Sequence, residues 1–424
     1  MSFLTLLGKE LGMLSRNLVV YLLLAVIVLF YWTNYATEES WSEGRAPVPP
    51  TETADPFLAS GEGTLEEVPP MPVYGFKEIT DPVLIAQRYL WMLETDLQRG
   101  WMERRIIFGA FAHKSRLSQK DREHMKETIS DFERVVKEPT KYTGIEAKQI
   151  AADLDSALGG WTSYMREGVT FIEPIETFED AMESYRVLET NYAERVADGQ
   201  IYPGMARLFS DYMGLTAGLF PVFLAAFAMG RDRSSRMFEL VASRSIRAWR
   251  YVGARYSAHV ILISLIYLLL ATVGAWQTAA ALDGTEAFGA ALPIFLSYAA
   301  GWLVPTIMAT TAFGMLISIA TGSGVAVIPL QIVWWFISVF PLIGDYRLHK
   351  LFLRFNTGAE AGTFHRYADM IMANRLFYVF LALAMITAAT IIWERKRSSG
   401  KMTKSVFNLR RKQAGMLLQN GNEG

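Results

Sequence analysis

The chain of 424 residues contains no cysteine and only five histidines. The first absence excludes disulfides, thiolate metal sites and thiol chemistry. The histidines (His113, His124, His259, His349 and His365) are scattered without metal-ligand spacing. A G-x-x-x-x-G-K-[ST] phosphate cradle is missing, so ATP binding through a P-loop is not expected. H-E-x-x-H, G-x-S-x-G and an acidic metal cluster are missing too. The carboxylate pairs Glu38-Glu39 and Glu66-Glu67 fall in linker-like sequence and read as solvated. No enzyme, no metal site, no cofactor and no nucleic-acid partner is expected of this chain itself.

Charge is also sparse. Charged residues make up 20% of the chain against 51% hydrophobic, and the mean hydropathy is positive. At this length the balance reads as a multi-span membrane protein rather than a large soluble enzyme. Six apolar runs approach the ~20 residues needed to cross about 30 Å of hydrocarbon. They are residues 15–35, 208–229, 257–281, 290–318, 325–343 and 375–393. Lys9 and Arg16 precede the first run, which is long and has no A-x-A-like site after Phe30, so an uncleaved anchor is expected. The central portions of all six lack Asp, Glu, Lys, Arg and His, with Asp211 and His259 near span ends. Ion-coupled carriers use such residues as relays, so their scarcity disfavours that class.

The net charge of −1 conceals a segregation. Residues 34–205 hold 31 acidic and 18 basic side chains, whereas the remainder hold 11 acidic and 23 basic. The basic excess sits in the 230–256 loop and in the tail 394–424, and cationic flanks are retained on the cytoplasmic side. Both termini are therefore expected to be cytoplasmic, in a plasma-membrane protein, with the acidic segment 36–206 outside. Loop 344–374, with Arg347, Lys350, Arg354 and Arg366, falls outside in this topology, against that trend; Asp345, Glu360 and Asp369 partly offset it.

Between the first two spans, residues 40–78 contain seven prolines and read as a linker. Residues 81–200 are helical in pattern. Leu90, Leu93, Leu97 and Trp101 share a face; so do Met125, Ile129, Phe132 and Val136, then Ile150, Leu154 and Leu158, then Phe178, Met182, Tyr185, Leu188 and Tyr192. Capping-box spacing joins Ser118 to Asp121, Thr143 to Glu146 and Thr177 to Asp180. No alternating strand series is evident. Residues 1–14 place Leu4, Leu7, Leu11 and Leu14 on one face, with Lys9 and Glu10 elsewhere; the segment is either an amphipathic helix on the inner leaflet or an extension of the first span. The expected fold is an all-α polytopic membrane protein, six transmembrane helices plus a mostly α-helical extracellular domain inserted between spans 1 and 2.

Polar groups inside the spans include Gln277, Gln331, Thr306, Thr310, Thr311 and Ser318. Of these, Thr306, Thr310 and Gln331, together with Trp334 and Trp335, either line a pathway for an amphipathic substrate or serve helix packing. Seven arginines between Arg231 and Arg255, opposed only by Asp232 and Glu239, form the strongest feature. Ile246, Trp249, Tyr251 and Val252 are interleaved with Arg247 and Arg250, a mixture of anchor residues suited to lie against a surface. A span follows immediately, so a force on this piece would move it.

The order Gly-Arg-Asp-Arg at 230–233, then Glu239-Leu240-Val241-Ala242-Ser243, then Ser245-Ile246-Arg247 and Gly253-Ala254-Arg255 resembles the permease subunits of ABC-2-type transporters. In that family a cytoplasmic coupling helix lies between the second and third spans. Glu239, Arg247, Gly253 and Arg255 match in kind, while Arg244 or Ser245 stands where the family often has proline. The resemblance also covers the topology: an N-terminal elbow helix, six spans and a large insert after the first.

The resemblance implies a pair of permease subunits (homo- or heterodimer), each docked on a separate ATPase subunit that binds the ATP and Mg. It further implies export, or extraction from the lipid bilayer, of an amphipathic, lipid- or peptide-like substrate. Glu239, Arg244, Ser245, Arg247, Trp249 and Arg250 are the expected ATPase-coupling set. The competing expectation is a membrane sensor whose outer domain binds a peptide, antibiotic or cell-wall ligand. The acidic outer segment would attract cations at long range, or simply keep that segment soluble.

Overall fold

The computed structural model describes residues 2–37, 44–51, 74–106, 111–160, 162–164, 172–175, 177–228, 246–282, 287–339, 346–355 and 361–398. In chain order the elements are α1 (Phe3–Leu14), α2 (Leu18–Phe30, continued by a π turn Tyr31–Tyr35), β1 (Phe76–Glu78), α3 (Pro82–Arg99), β2 (Trp101–Ile106), β3 (Phe111–Arg116), α4 (Gln119–Lys137), α5 (Gly144–Ala157), β4 (Ile172–Pro174), α6 (Phe178–Ala197), α7 (Ile201–Ala217), α8 (Pro221–Ala228), α9 (Ala248–Leu282), α10 (Phe288–Thr321), α11 (Val327–Val339) and α12 (Ala361–Ser398). Two compact units emerge, residues 46–198 and residues 1–45 with 199–424.

The 46–198 unit is built on α3, α4 and α5. Their apolar faces meet in a core of Ile85, Tyr89, Leu93, Met125, Phe132, Val135, Ala151 and Leu154. Tyr89 and Phe132 stack at its centre with ring centroids 5.2 Å apart. The helix starts follow from local chemistry. Ser118–Asp121 and Thr143–Glu146 form reciprocal capping boxes as expected, and Thr177 accepts from the Asp180 amide.

Two features of this unit go beyond the sequence pattern. Strands do occur: β2 pairs with β3 and β1 with β4, both antiparallel. They lack alternation, which is why the pattern is silent. Second, Trp101 is not on the α3 face with Leu90, Leu93 and Leu97. Gly100 ends α3 in the left-handed region at φ 76°, and Trp101 opens β2 beneath the Lys114 ammonium, 4.4 Å from the ring centre. Helix α6 adds only Ala181 to the buried set, and Leu188 on its expected apolar face is exposed. Most of the linker 40–78 lies outside the described residues; among those described, Phe76–Glu78 form β1.

In the other unit, five helical stretches are long and apolar enough to cross a membrane: Leu18–Tyr35, Ile201–Ala228, Ala248–Leu282, Phe288–Thr321 and Phe364–Ser398. The unit is that of an α-helical membrane protein. Of the expected span at 325–343, the described residues form the 13-residue apolar helix α11, Val327–Val339; residues 340–343 lie outside the described residues. Helix α10 is central, packing against α7, α9 and α12. The expected loop 344–374 is not a simple loop either. Residues 361–374 belong to α12, and Tyr346, Leu351, Phe352, Leu353 and Phe355 are buried among the helices.

Phe352 reaches this position because α7 is bare where it passes. A Cβ on Gly218 would lie 2.6 Å from the Phe352 ring, and one on Gly214 would lie 3.3 Å from its Cβ. This small-x-x-x-small spacing admits a bulky neighbour against the helix backbone. Gly218→Val is expected to expel Phe352 at a cost of about 1–3 kcal/mol. Because the chain has no native thiol, a Leu353→Cys probe reports it: unreactive to maleimide alone, reactive when combined with Gly218→Val.

A second prediction concerns the 46–198 unit. The Tyr164 hydroxyl donates to the Asp96 carboxylate at 2.5 Å. Burial nevertheless raises the Asp96 pKa from 3.8, outweighing that bond and the nearby Arg99 charge, with Glu103 adding to the rise. A group whose folded pKa is raised favours folding while protonated, and its contribution is lost as pH rises through the folded value. Asp96→Asn should therefore gain stability relative to the parent as pH rises above the ordinary carboxylate range, read from paired chemical denaturation curves at acidic and neutral pH.

Candidate functional site

Of the six expected coupling residues, Glu239, Arg244 and Ser245 lie outside the described residues. Arg247 precedes α9, and Trp249 and Arg250 form its first turn. Arg247 is exposed, Trp249 is half-exposed, and the Arg250 guanidinium lies 5.4 Å from the Trp249 ring centre. The opposite face of the same turns carries Tyr251, Val252 and Arg255, all buried. The helix period thus separates an outward face of Arg247, Trp249 and Arg250 from an inward face that grips the bundle.

Arg255 is the main grip. Its Nε donates to Glu10 of α1 at 2.9 Å, its Nη1 donates to the Ala228 carbonyl ending α8 at 3.0 Å, and it lies 4.5 Å from the Tyr251 ring centre. Both members of the ion pair are buried. Glu10 is therefore not set apart from the leucine face of α1. Positions 7, 10 and 14 fall within one stripe at helical spacing, and the carboxylate points inward with Leu7 and Leu14. An acid on an apolar stripe signals a buried cation, and that was the legible clue to Arg255. Phe3 of α1 also stacks on Trp249, with centroids 6.1 Å apart.

The end of α12 closes the other side. Tyr251 stacks on Trp393 at 4.9 Å, and Arg397 donates to the Ile246 carbonyl at 2.7 Å. Lys396 donates to the Ile319 and Ala320 carbonyls at the end of α10. Helix α1, the ends of α8, α10 and α12, and the start of α9 accordingly meet at one end of the bundle. At the other, the Tyr35 hydroxyl reaches the Met205 carbonyl and Thr278.

The five expected pathway residues are brought together, with their polar atoms turned onto protein. Pro221 has no amide proton to offer the Ala217 carbonyl, so the break between α7 and α8 strips several carbonyls of helical partners. Side chains supply them: Trp335 donates to Leu215, Thr310 approaches Ala217 and Gln331 donates to Gly218. Thr306 donates to the Leu351 carbonyl at 2.9 Å, and Trp334 packs edge-on against Phe313. Thr306, Thr310 and Gln331 are fully buried.

Ionisable groups missed as structural elements cluster beside them. Arg375 of α12 donates to the carbonyls of Trp302, Lys350 and Leu351, to Thr306 Oγ1 and to Asn374. Asn374 donates to the Arg347 and Lys350 carbonyls. Asp211 of α7 accepts from Arg354 at 3.0 Å and from the Phe355 amide at 2.7 Å, while Ser338 accepts from the Leu351 amide. Asp211 and His259, expected near span ends, are buried, as is Arg375. Among the described residues no group of three or more His, Cys, Asp or Glu is placed to hold a metal.

Comparison with protein-family models, curated proteins and solved structures finds no match.

Removing one member of a buried ion pair leaves an uncompensated charge and costs about 3–5 kcal/mol. Glu10→Gln should lower the unfolding midpoint of the detergent-solubilised chain and make α1 sensitive to limited proteolysis. The exchange Glu10→Arg with Arg255→Glu should restore part of the loss, since the bond to Ala228 is not recovered.

Proposed function

We propose that this chain is the permease subunit of an ATP-driven exporter, with both termini in the cytoplasm of a cell whose plasma membrane it spans. A separate ATPase subunit docks on the arginine-rich segment before α9, and a second permease subunit completes the transporter. The reading rests on the resemblance carried by residues 230–255. One observation supports it above others: the start of α9 is fastened to α1, α8 and α12 through Arg255, Trp249, Tyr251 and the Arg397–Ile246 bond. A displacement of that turn would be carried to those three helices, because packed interiors transmit strain rather than absorb it.

Within this reading Arg247, Trp249 and Arg250 meet the ATPase, with Glu239, Arg244 and Ser245 completing the contact. Arg255 transmits rather than docks, since it is buried. Export or bilayer extraction of an amphipathic lipid- or peptide-like substrate follows from the transporter class. Thr306, Thr310, Gln331, Trp334 and Trp335 hold the helices that would have to part.

The test is co-purification of the full chain with whichever P-loop ATPase subunit associates with it in its native membrane. Arg247→Glu with Arg250→Glu should reduce recovery of the ATPase at least about tenfold, two lost interfacial charges being worth upward of 1.4 kcal/mol together. The unfolding midpoint should stay within a few degrees, because both side chains lie on the outward face. Undiminished association would sink the assignment, and a chain that recruits no ATPase would favour the sensor reading.

A further inference from the structure

The outward face of α1 carries a feature that the coupling reading does not use. Lys9, Gly12, Met13 and Arg16 line an open concavity of about 520 Å³. Lys9 and Arg16 are two helical turns apart, about 10 Å along the axis, close enough for two long cationic side chains to converge between them. Neither has an acidic partner among the described residues. The one acid of α1, Glu10, faces the opposite way and is consumed by Arg255. The floor is bare: a Cβ on Gly8 or Gly12 would meet nothing within 4 Å.

The surroundings specify the kind of anion. Arg16 sits at the elbow between α1 and α2, which is held by Tyr21 donating to the Ser15 carbonyl and by Asn17 capping α2. Below the elbow, α2 exposes Leu18, Val19, Leu22, Val26 and Leu29. Leu18 is 71% exposed, and only 22% of the α2 span window is buried. A paired cation at the head of a long apolar exposed stripe matches a phosphate joined to acyl chains better than a free phosphate, which would leave the stripe unused.

We propose that Lys9 and Arg16 form a binding site for the headgroup phosphate of an anionic phospholipid, whose acyl chains lie along the exposed face of α2. Bound lipid ties the α1–α2 elbow to the leaflet, so that α1, fastened to α9 by Glu10–Arg255, is held at a fixed depth. The site rests on the membrane-embedded fold and not on the ATPase reading, and its test uses no ATPase.

Native mass spectrometry of the full chain in neutral detergent, titrated with phosphatidylglycerol or phosphatidylcholine, reads the site directly. The parent chain should take up phosphatidylglycerol at lower concentration than phosphatidylcholine. Lys9→Gln with Arg16→Gln should weaken phosphatidylglycerol binding about 10- to 30-fold, each basic residue contributing roughly fivefold, and leave phosphatidylcholine unchanged. Gly12→Glu, which adds a carboxylate in open space, should act likewise. Unaltered thermal midpoints for these surface variants separate a lost site from a lost fold. Undiminished phosphatidylglycerol preference in both variants overturns the proposal. So does displacement of the lipid by a tenfold excess of inorganic phosphate, or equal loss of both lipids.

Discussion

Every backbone carbonyl and amide buried in a membrane-embedded bundle must find a partner within the protein, because hydrocarbon supplies none. Among the described residues regular helix is interrupted at two places in the bundle interior, and both interruptions dictate what surrounds them. The α7–α8 break at Gly218 to Phe220 strips carbonyls of helical partners, which Trp335, Thr310 and Gln331 bond. The non-helical segment 346–355 does the same on a larger scale and takes Asp211, Thr306, Ser338, Asn374 and Arg375 as its partners. Polar and charged side chains in this bundle complete backbone hydrogen bonding.

That constraint accounts for the placement of Arg375, whose guanidinium is bonded by carbonyls, Thr306 and Asn374. Five donors in a planar fork suit one side chain to several divergent carbonyls. The same groups hold the backbone of the 346–355 segment between the helices. At the end where basic residues gather, Arg397 bonds the Ile246 carbonyl ahead of α9, and the same rule recurs with cations on helix-end carbonyls: Arg255 on Ala228, Lys396 on Ile319 and Ala320. These groups satisfy the orphan carbonyls and complement the negative helix termini in one step. The segment proposed to receive the ATPase is thereby fixed to its neighbours rather than hanging from α9 alone.

Much of this organisation was legible in the order of residues. Long apolar runs specify membrane helices because about 20 residues suffice to cross, and five of the six expected runs form such helices. The hydroxyl–acid pairs at Ser118 and Thr143 specify helix starts because the bonds are local. Others were hidden by a rule applied too simply. Glu10 breaks the run of leucines, yet its spacing from Leu7 and Leu14 puts it on their face. Strands β1 to β4 lack alternation, so their pairing waits on partners far along the chain.

The sequence by itself determined that this is a helical membrane protein with a separately folding insert, that it lacks thiol chemistry, and where its cations concentrate. These are properties of composition and of contacts within a few residues. Only the tertiary structure decided that the 346–355 segment packs among the helices, and that Arg255, Asp211 and Arg375 are structural partners. Each of those outcomes depends on hydrogen bonds between groups tens to hundreds of residues apart, such as Arg255 with Glu10 and Arg354 with Asp211. No local pattern encodes such a pairing; it is selected by the requirement that a buried charge or carbonyl be satisfied where the fold places it.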